Sequence, residues 1–329
     1  MPEPQPNHPM PFDVTIAGEL NLDLILYGLP DQLPPERELL ANRMALTLGS
    51  SSAIVAHNLA ALGSRVGFQS RIADDDLGKI ALDRLRHPGV DVSRVRVVPA
   101  ATDGTATSGL TVILPRTGWR NILTYSGTIA EFCWDDLDLE YLANSRHFHF
   151  SSYYLQSGLR PRVAELFQRL KQSGLTISLD TNDDPADIWQ DTAPGGLQDV
   201  LRHVDVLLPN EREAMKLAGT NNLEAAVEKL AKLVPLLVVK QGRQGALAQK
   251  GKDRFVSPAL RVDAVDPVGA GDSFDAGFLH QYVRGADLPT CLASGNLAGA
   301  LSTTRPGGTE AFRGAAYREK FFRENQPLT

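Results

Sequence analysis

Gly269-Ala270-Gly271-Asp272 runs straight into an amphipathic stretch in which Phe274 and Phe278 recur at i, i+4. Three small residues followed by a helical pattern give a turn whose bare backbone N–H groups and positive helix dipole end form an anion site. A carboxylate within reach of a bound phosphate, here Asp272, suits general-base work on an incoming hydroxyl. An ordinary glycine turn with Asp272 as helix cap is the plainer reading of the same residues.

Other candidates lie upstream. Leu20, Leu22, Leu24 and Leu26 alternate on one face of a first strand that continues from Gly18 to Leu26, so Asn21 and Asp23 share the other. Such a pair can grip hydroxyls at a strand's carboxyl end, or simply face water. Gly49 in Leu48-Gly49-Ser50-Ser51-Ser52-Ala53 allows a ligand to approach, and the serines offer hydroxyls and an N-cap. Asn210 and Glu213 form a capping-box pattern. In Lys240-Gln241-Gly242 the lysine could meet phosphate or cap its strand in solvent, and Gly242 lets the chain pass close to a nucleotide. The small residues of 294–302 and the Gly307-Gly308 turn permit either an intercalated adenine or a tight helix contact.

The elements that must position these residues alternate in type. Aliphatic runs at Asp13–Ala17, Val66–Arg71, His147–Ser151, Thr176–Asp180, Val204–Pro209 and Leu236–Lys240 predict strands. Helical patterns fall at Ala53–Leu62, Lys79–Arg86, Pro161–Ser173, Glu211–Leu217 and Leu223–Val234. Alternation implies a mostly parallel central sheet with helices on both faces, a three-layer α/β sandwich that binds ligands at the strands' carboxyl ends. Two regions break the rhythm and read as antiparallel or hairpin insertions: 23–48, with three prolines, and 105–128, with strands Gly109–Leu114 and Asn121–Tyr125. Met1–Pro11 reads as a disordered, Pro-rich tail, and 12–329 as a single domain.

With 329 residues, a formal charge of −6 and no basic run, the chain has no signature of nucleic-acid or anionic-membrane binding. No apolar run reaches the ~20 residues that span a bilayer. The start lacks a signal-peptide pattern, and Cys133 and Cys291 have no ligand-like spacing, so a reducing cytoplasm is expected. His147 and His149 alternate with Phe148 and Phe150 as a buried strand end does.

The Gly-Ala-Gly-Asp segment resembles the most diagnostic motif of the ribokinase-like (PfkB) carbohydrate kinases, and other motifs follow in order from Gly18 to Phe312. The resemblance implies that Gly269, Ala270 and Gly271 form the anion hole, that Asp272 is the catalytic base, and that Asp23 binds acceptor hydroxyls with Asn21, Gly49 and Ser50. It places Asn210 and Glu213 around Mg²⁺ through water. Nucleotide binding falls to Lys240, Gly242, Asn296, Gly307 and Gly308, with a monovalent cation such as K⁺ near the 294–309 region. Asp180-Thr181-Asn182 resembles the family's phosphate and metal stretch, whereas Asp183 and Asp184 read as a solvated loop. The two irregular regions become a small β-sheet lid over the sugar, which is expected to pair with its twin in a homodimer. The chain departs from the pattern at Ser50, where a second glycine is common, and at Ile54, where the family usually has Asn.

The expected activity is ATP-dependent phosphorylation of a primary hydroxyl on a sugar or sugar-like acceptor. No Gly-x-x-x-x-Gly-Lys-Ser/Thr sequence is present, so phosphate binding rests on the Gly269–Gly271 turn. The alternatives are a nucleoside kinase of the same fold, with an aromatic lid pocket drawn from Trp119, Tyr125 and Phe132, and a sugar-binding regulator that has lost catalysis. A nicotinamide dehydrogenase lacks its Gly-x-Gly-x-x-Gly after the first strand.

Overall fold

In the computed structural model, which describes residues 10–101, 107–189 and 194–325, the aliphatic runs pair into two separate sheets. The strands are β1 (Phe12–Ala17), β2 (Asn21–Tyr27), β3 (Arg43–Leu48), β4 (Val66–Ala73), β5 (Asp91–Val98), β6 (Gly109–Pro115), β7 (Arg120–Tyr125), β8 (Ser145–Ser151), β9 (Thr176–Asp180), β10 (Val206–Leu207), β11 (Leu236–Lys240), β12 (Ala246–Lys250) and β13 (Asp253–Ser257). The helices are α1 (Ser51–Ala61), α2 (Asp76–Arg86), α3 (Leu139–Ala143), α4 (Val163–Gln172), α5 (Leu197–Leu201), α6 (Glu211–Ala218), α7 (Leu223–Leu230), α8 (Ala270–Tyr282), α9 (Leu288–Thr303), α10 (Glu310–Arg313) and α11 (Ala315–Asn325).

Nine strands form the large sheet in the order β13-β12-β11-β10-β9-β8-β1-β4-β5. It is parallel from β5 to β11 and antiparallel only at the β11–β12–β13 edge. Two apolar clusters cover its faces. One gathers Phe148, Phe150 and Phe167 around α4, and the other gathers Val14, Phe68, Phe274 and Phe278 around α1 and α8. Each face of β8 therefore does a different job. Its phenylalanines enter the first cluster, while His147 and His149 lie buried on the α8 side.

Beside it stands a four-stranded sheet, β3-β2-β6-β7. Its register puts Asp23, Thr47, Thr111 and Thr124 in one row on one face. The next row out on that face, Ile25, Ala45, Ile113 and Ile122, packs in part on Val268.

Several sequence expectations change. The first strand is not continuous: it stops at Ala17, and Asn21–Tyr27 belongs to the small sheet. The turn across 18–20 is tight, since a Cβ on Gly18 would lie 2.1 Å from Ser52 Oγ. The small sheet is also not purely antiparallel, because β2 and β6 run parallel. Of Val204–Pro209 only Val206–Leu207 is strand. Strand β5, the β12–β13 hairpin and α11 had no counterpart in the sequence reading. The tail at 1–11 falls mostly outside the described residues.

Candidate active site

The carboxyl ends of β9 and β11 meet α8 near its start, where Asp180, Lys240 and Asp275 come together. Gly269 adopts a left-handed conformation (φ 73°) as the cap residue of α8. It lies so close to Gly308 that a Cβ on it would come within 2.3 Å of the Gly308 Cα. A side chain at either glycine would force the two turns apart. Ile54 fills the space behind them, its Cδ1 being 2.8 Å from where a Gly308 Cβ would stand. One helical turn on, Asn58 Nδ2 donates to Ser273 Oγ (2.9 Å) and to the Gly308 carbonyl (3.0 Å). Ser273 Oγ in turn donates to the Gly269 carbonyl at 2.7 Å. The anion turn is thus braced by α1 on an apolar contact and an amide.

Asp272, third residue of α8, is partly buried. Burial pushes its carboxyl up to about 6, Asp180 adding to the rise and Lys240 and the Ser51 hydroxyl opposing it. Beneath the turn, Lys240 Nζ donates to Asp180 Oδ2 (2.6 Å) and Asp275 Oδ2 (3.1 Å), all three side chains being buried. Burial works against the charged ammonium, but the carboxylates of Asp180, Asp275 and Glu213 more than offset it and raise Lys240 above its ordinary value. Burial raises Asp180, yet Lys240 together with hydrogen bonds from Asp275 and the Asn182 amide brings it below its ordinary value, while burial drives Asp275 upward. A Cβ on Gly271 would sit 3.6 Å from Lys240 Nζ, so this charge lies directly under the turn although its hydrogen bonds go to carboxylates.

Asn21, Asp23, Gly49 and Ser50, the residues expected to meet the acceptor, lie next to one another. Ser50 Oγ donates to Asn21 Oδ1 (2.8 Å), and Asn21 Nδ2 donates to Thr111 Oγ1 (3.0 Å). A Cβ on Gly49 would lie 2.2 Å from Asp23 Oδ1, so glycine is required for the carboxylate to settle there. Ser50 stands at the N-cap position of α1 at φ 64°, but its side chain makes no cap hydrogen bond, contrary to the capping role expected of these serines. Asp23 is buried, and no group among the described residues donates a hydrogen bond to its carboxylate. Burial, reinforced by Asp272 and Asp266 and opposed by Arg120, moves it up to about 7.

Asn210 and Glu213 make a full capping box, Glu213 N donating to Asn210 Oδ1 (3.0 Å) and Asn210 N to Glu213 Oε2 (2.8 Å). Burial, with Asp180 and Asp272 adding to it, raises Glu213 to about 8. No three His, Cys, Asp or Glu side chains among the described residues stand close enough to cage a metal directly. An oxygen-only donor set without a closed cage fits Mg²⁺ carried in with phosphates and reached through water.

The nucleotide-side positions are more scattered. Gly242 begins a turn at φ 53° with open space around it, and Gly307, at φ 73°, abuts Thr47 of β3. Asn296 Nδ2 donates to the Ser257 carbonyl and hydroxyl and to the Pro258 carbonyl, tying α9 to the end of β13. The small residues of α9 form the tight helix contact, a Gly277 Cβ falling 2.5 Å from the Ser294 carbonyl.

Sequence reasoning missed four residues. Asp266 accepts from Val268 N, Gly307 N and the Tyr27 hydroxyl. Glu19 is buried, and Ser52 Oγ donates to it at 2.6 Å. Asn58 had a signal, since it lies four residues after Ile54 on the same helix face; Tyr27 had one in its even spacing from Asp23. His147 bonds Thr176 and Ser178, and His149 bonds Ser178 and Ser151. Burial holds these imidazoles neutral, at about 3 and about 4. Asp184 accepts from the amides of Ala186, Ile188 and Trp189 in a loop, as expected, but it is buried rather than solvated because those three amides hold its carboxylate inward. The aromatic trio does not line one pocket: Phe132 is buried in the large-sheet core, Trp119 is exposed at the hairpin turn, and Tyr125 lies on the small sheet's outer face.

A parallel α/β sandwich carrying a small sheet, with a glycine turn and carboxylate at the strand ends, defines a ribokinase-like phosphotransferase. The signature of the pfkB family of carbohydrate kinases matches residues 12–313. This chain belongs to that family. It is 30% identical to the ATP-dependent ribose-1-phosphate kinase of Halopiger xanaduensis, over 91% of this chain and 94% of that protein. It is 31% identical to a Klebsiella pneumoniae fructokinase, over 80% and 88% of the two chains. A ribokinase II from E. coli, solved in complex with ATP and Mg²⁺, superposes with a TM-score of 0.79 at 25% identity, covering 95% of this chain and all of that one. The chain is accordingly a sugar kinase of the PfkB type. No helix among the described residues is long and apolar enough to cross a membrane.

Proposed function

We propose that the protein transfers the γ-phosphoryl group of ATP to a primary hydroxyl of a sugar or sugar-like acceptor, with Asp272 as base and the Gly269–Gly271 backbone as anion hole. The observation that carries this reading is electrostatic and geometric together. Asp272 adds to the burial that raises the Asp23 carboxyl, and the 49–51 turn touches both residues, Gly49 packing against Asp23 Oδ1 and the Ser51 side chain hydrogen-bonding Asp272. An acceptor hydrogen-bonded to Asp23 therefore presents a hydroxyl to Asp272.

Asp23 is free to accept from sugar hydroxyls, with Asn21, Gly49 and Ser50 forming the wall around it. Asp272 takes the hydroxyl proton as that oxygen bonds to the γ-phosphorus and the bond to the ADP oxygen breaks. The amides of the turn balance the negative charge of the passing phosphoryl group. When bound, Mg²⁺ supplies charge neutralisation on the phosphates; Glu213 and Asn210 are the residues that would hold its waters. Lys240 contributes its charge from beneath Gly271, with Gly242, Asn296, Gly307 and Gly308 bordering the nucleotide. A monovalent cation such as K⁺ near 294–309 rests on the family resemblance, and replacing K⁺ by choline in the assay tests it.

The small sheet acts as a lid within a single domain, and its exposed outer Met44 and Leu123 support a homodimer through that face. The family supports a cytoplasmic setting. A nucleoside acceptor finds less support, because the aromatic trio is dispersed. Coupled ADP release across a panel of sugars, sugar phosphates, sugar acids and nucleosides tests the reading. Acceptor-dependent turnover with at least one sugar class is the expected result, and turnover with nucleosides alone would replace it by the nucleoside reading.

A further inference from the structure

We propose that Tyr27 is a positioning residue that latches the acceptor-binding strand to the phosphate turn through Asp266, so that nucleotide binding is felt in the lid. The proposal rests on the kinase reading above. Strand β2 carries Asp23 and, four residues on, Tyr27, so both side chains stand on one face. The Tyr27 hydroxyl donates to Asp266 Oδ2 at 2.5 Å. The same carboxylate accepts from Val268 N through Oδ1 (2.9 Å) and from Gly307 N through Oδ2 (3.1 Å). One carboxylate thus joins the lid, the turn that leads into Gly269–Asp272, and the Gly307–Gly308 turn packed on it.

The other contacts along this seam are of a different kind. Ile25 and Ile113 pack on Val268, and Gly307 abuts Thr47. Apolar contacts can slide; a charge-assisted hydrogen bond fixes distance and direction. The phenol is prepared for this. Arg43 of β3 lies over its ring, 4.2 Å from the centroid, and burial together with Asp266 raises the hydroxyl above its ordinary range, so it remains a donor at any working pH. Asp266 also acts on Asp23, so the latch lies within electrostatic reach of the acceptor carboxylate.

Tyr27→Phe in the full chain removes one hydroxyl from a half-exposed ring and leaves no core cavity. In the free protein, amide exchange in β2, β3 and 266–271 should quicken together, roughly tenfold, while β8 and β9 stay unchanged and report an intact fold. Adding Mg²⁺ with the non-hydrolysable analogue AMP-PNP to wild type should slow exchange in 266–271 and also in β2 and β3; in Tyr27→Phe it should slow only 266–271. Unchanged exchange in the free variant, or undiminished transmission of the nucleotide effect to β2 and β3, overturns the latch. If AMP-PNP protects neither segment of either protein, the nucleotide reading of the turn falls, and the free-protein comparison still decides the latch.

Discussion

At the scale of single residues, the site is a set of carboxyl groups held away from their ordinary ionisation. Asp272 at about 6 and Asp23 at about 7 owe this first to burial and then to neighbouring carboxylates. A base must be ionised to act, so kcat/KM should fall as pH drops through 7 to 6, and a profile flat between pH 5 and 8 would contradict the assignment. Glu213 allows a separate check. Its folded value, about 8, lies above the ordinary 4.5, so the native carboxyl keeps a proton that the unfolded chain has lost. That contribution is complete below about pH 4.5 and drains away as pH rises to about 8. Glu213→Gln cannot ionise, and its melting temperature should gain on wild type steadily across that window; a constant difference would argue against a strained carboxyl. Asp23→Ala should weaken acceptor binding far more than nucleotide binding, which paired titrations would show. Asp272, Asp23, Asn21, Gly49, Asn210 and Glu213 could be singled out as candidates from the sequence, because each sits in a short pattern whose chemistry is local; their roles are what these experiments test. Asp266 and Glu19 could not be singled out, because their partners come from other elements: Asp266 meets Tyr27 across 239 residues, and Glu19 meets Ser52 across 33.

At the scale of elements, the α8–α9 pair decides how well the anion turn is held. A Cβ at Gly277 would stand 2.5 Å from the Ser294 carbonyl and 2.6 Å from the Ala298 Cβ, and one at Gly295 would strike the Phe274 ring at 2.7 Å. Gly277→Ala should therefore cost ~1–3 kcal/mol despite alanine's better helix propensity, readable as a lowered denaturant midpoint. An unchanged or raised midpoint would mean the helices can separate freely. Strand β9 and strand β11 matched their sequence boundaries residue for residue, because both are short aliphatic runs closed by a charged side chain. The break between β1 and β2 was hidden. Leucine alternation continues smoothly through Leu20 and Leu22, both of which are buried, although the chain changes sheets between them. Hydrophobic period reports which face is buried, not which sheet a strand joins. The β12–β13 hairpin escaped for a related reason, since its outer strand is largely exposed and carries Asp253, Arg254 and Ser257.

At the scale of the whole molecule, the small sheet carries Asp23 while α8, packed on the large sheet, carries Asp272, and the proposed reaction sets the first as acceptor ligand and the second as base. On the proposed reading, closure of the small sheet would exclude water and limit wasteful ATP hydrolysis. Amides of β2, β3, β6 and β7 should exchange faster than the large sheet in the free protein and slow when acceptor binds; equal protection with and without acceptor would indicate a rigid subdomain. The α/β alternation made the body foreseeable, and the proline-broken segment 23–48 marked where it would be interrupted. The parallel β2–β6 pairing was not foreseeable, because it joins strands separated by most of the first third of the chain. The claim on which everything else depends is that Asp272 takes the acceptor's proton. The most direct measurement is acceptor-dependent ADP release by Asp272→Asn beside wild type, with ATP affinity measured on both. The account predicts a fall in kcat of ~10² or more with ATP affinity little changed; near-normal turnover in the variant would contradict it.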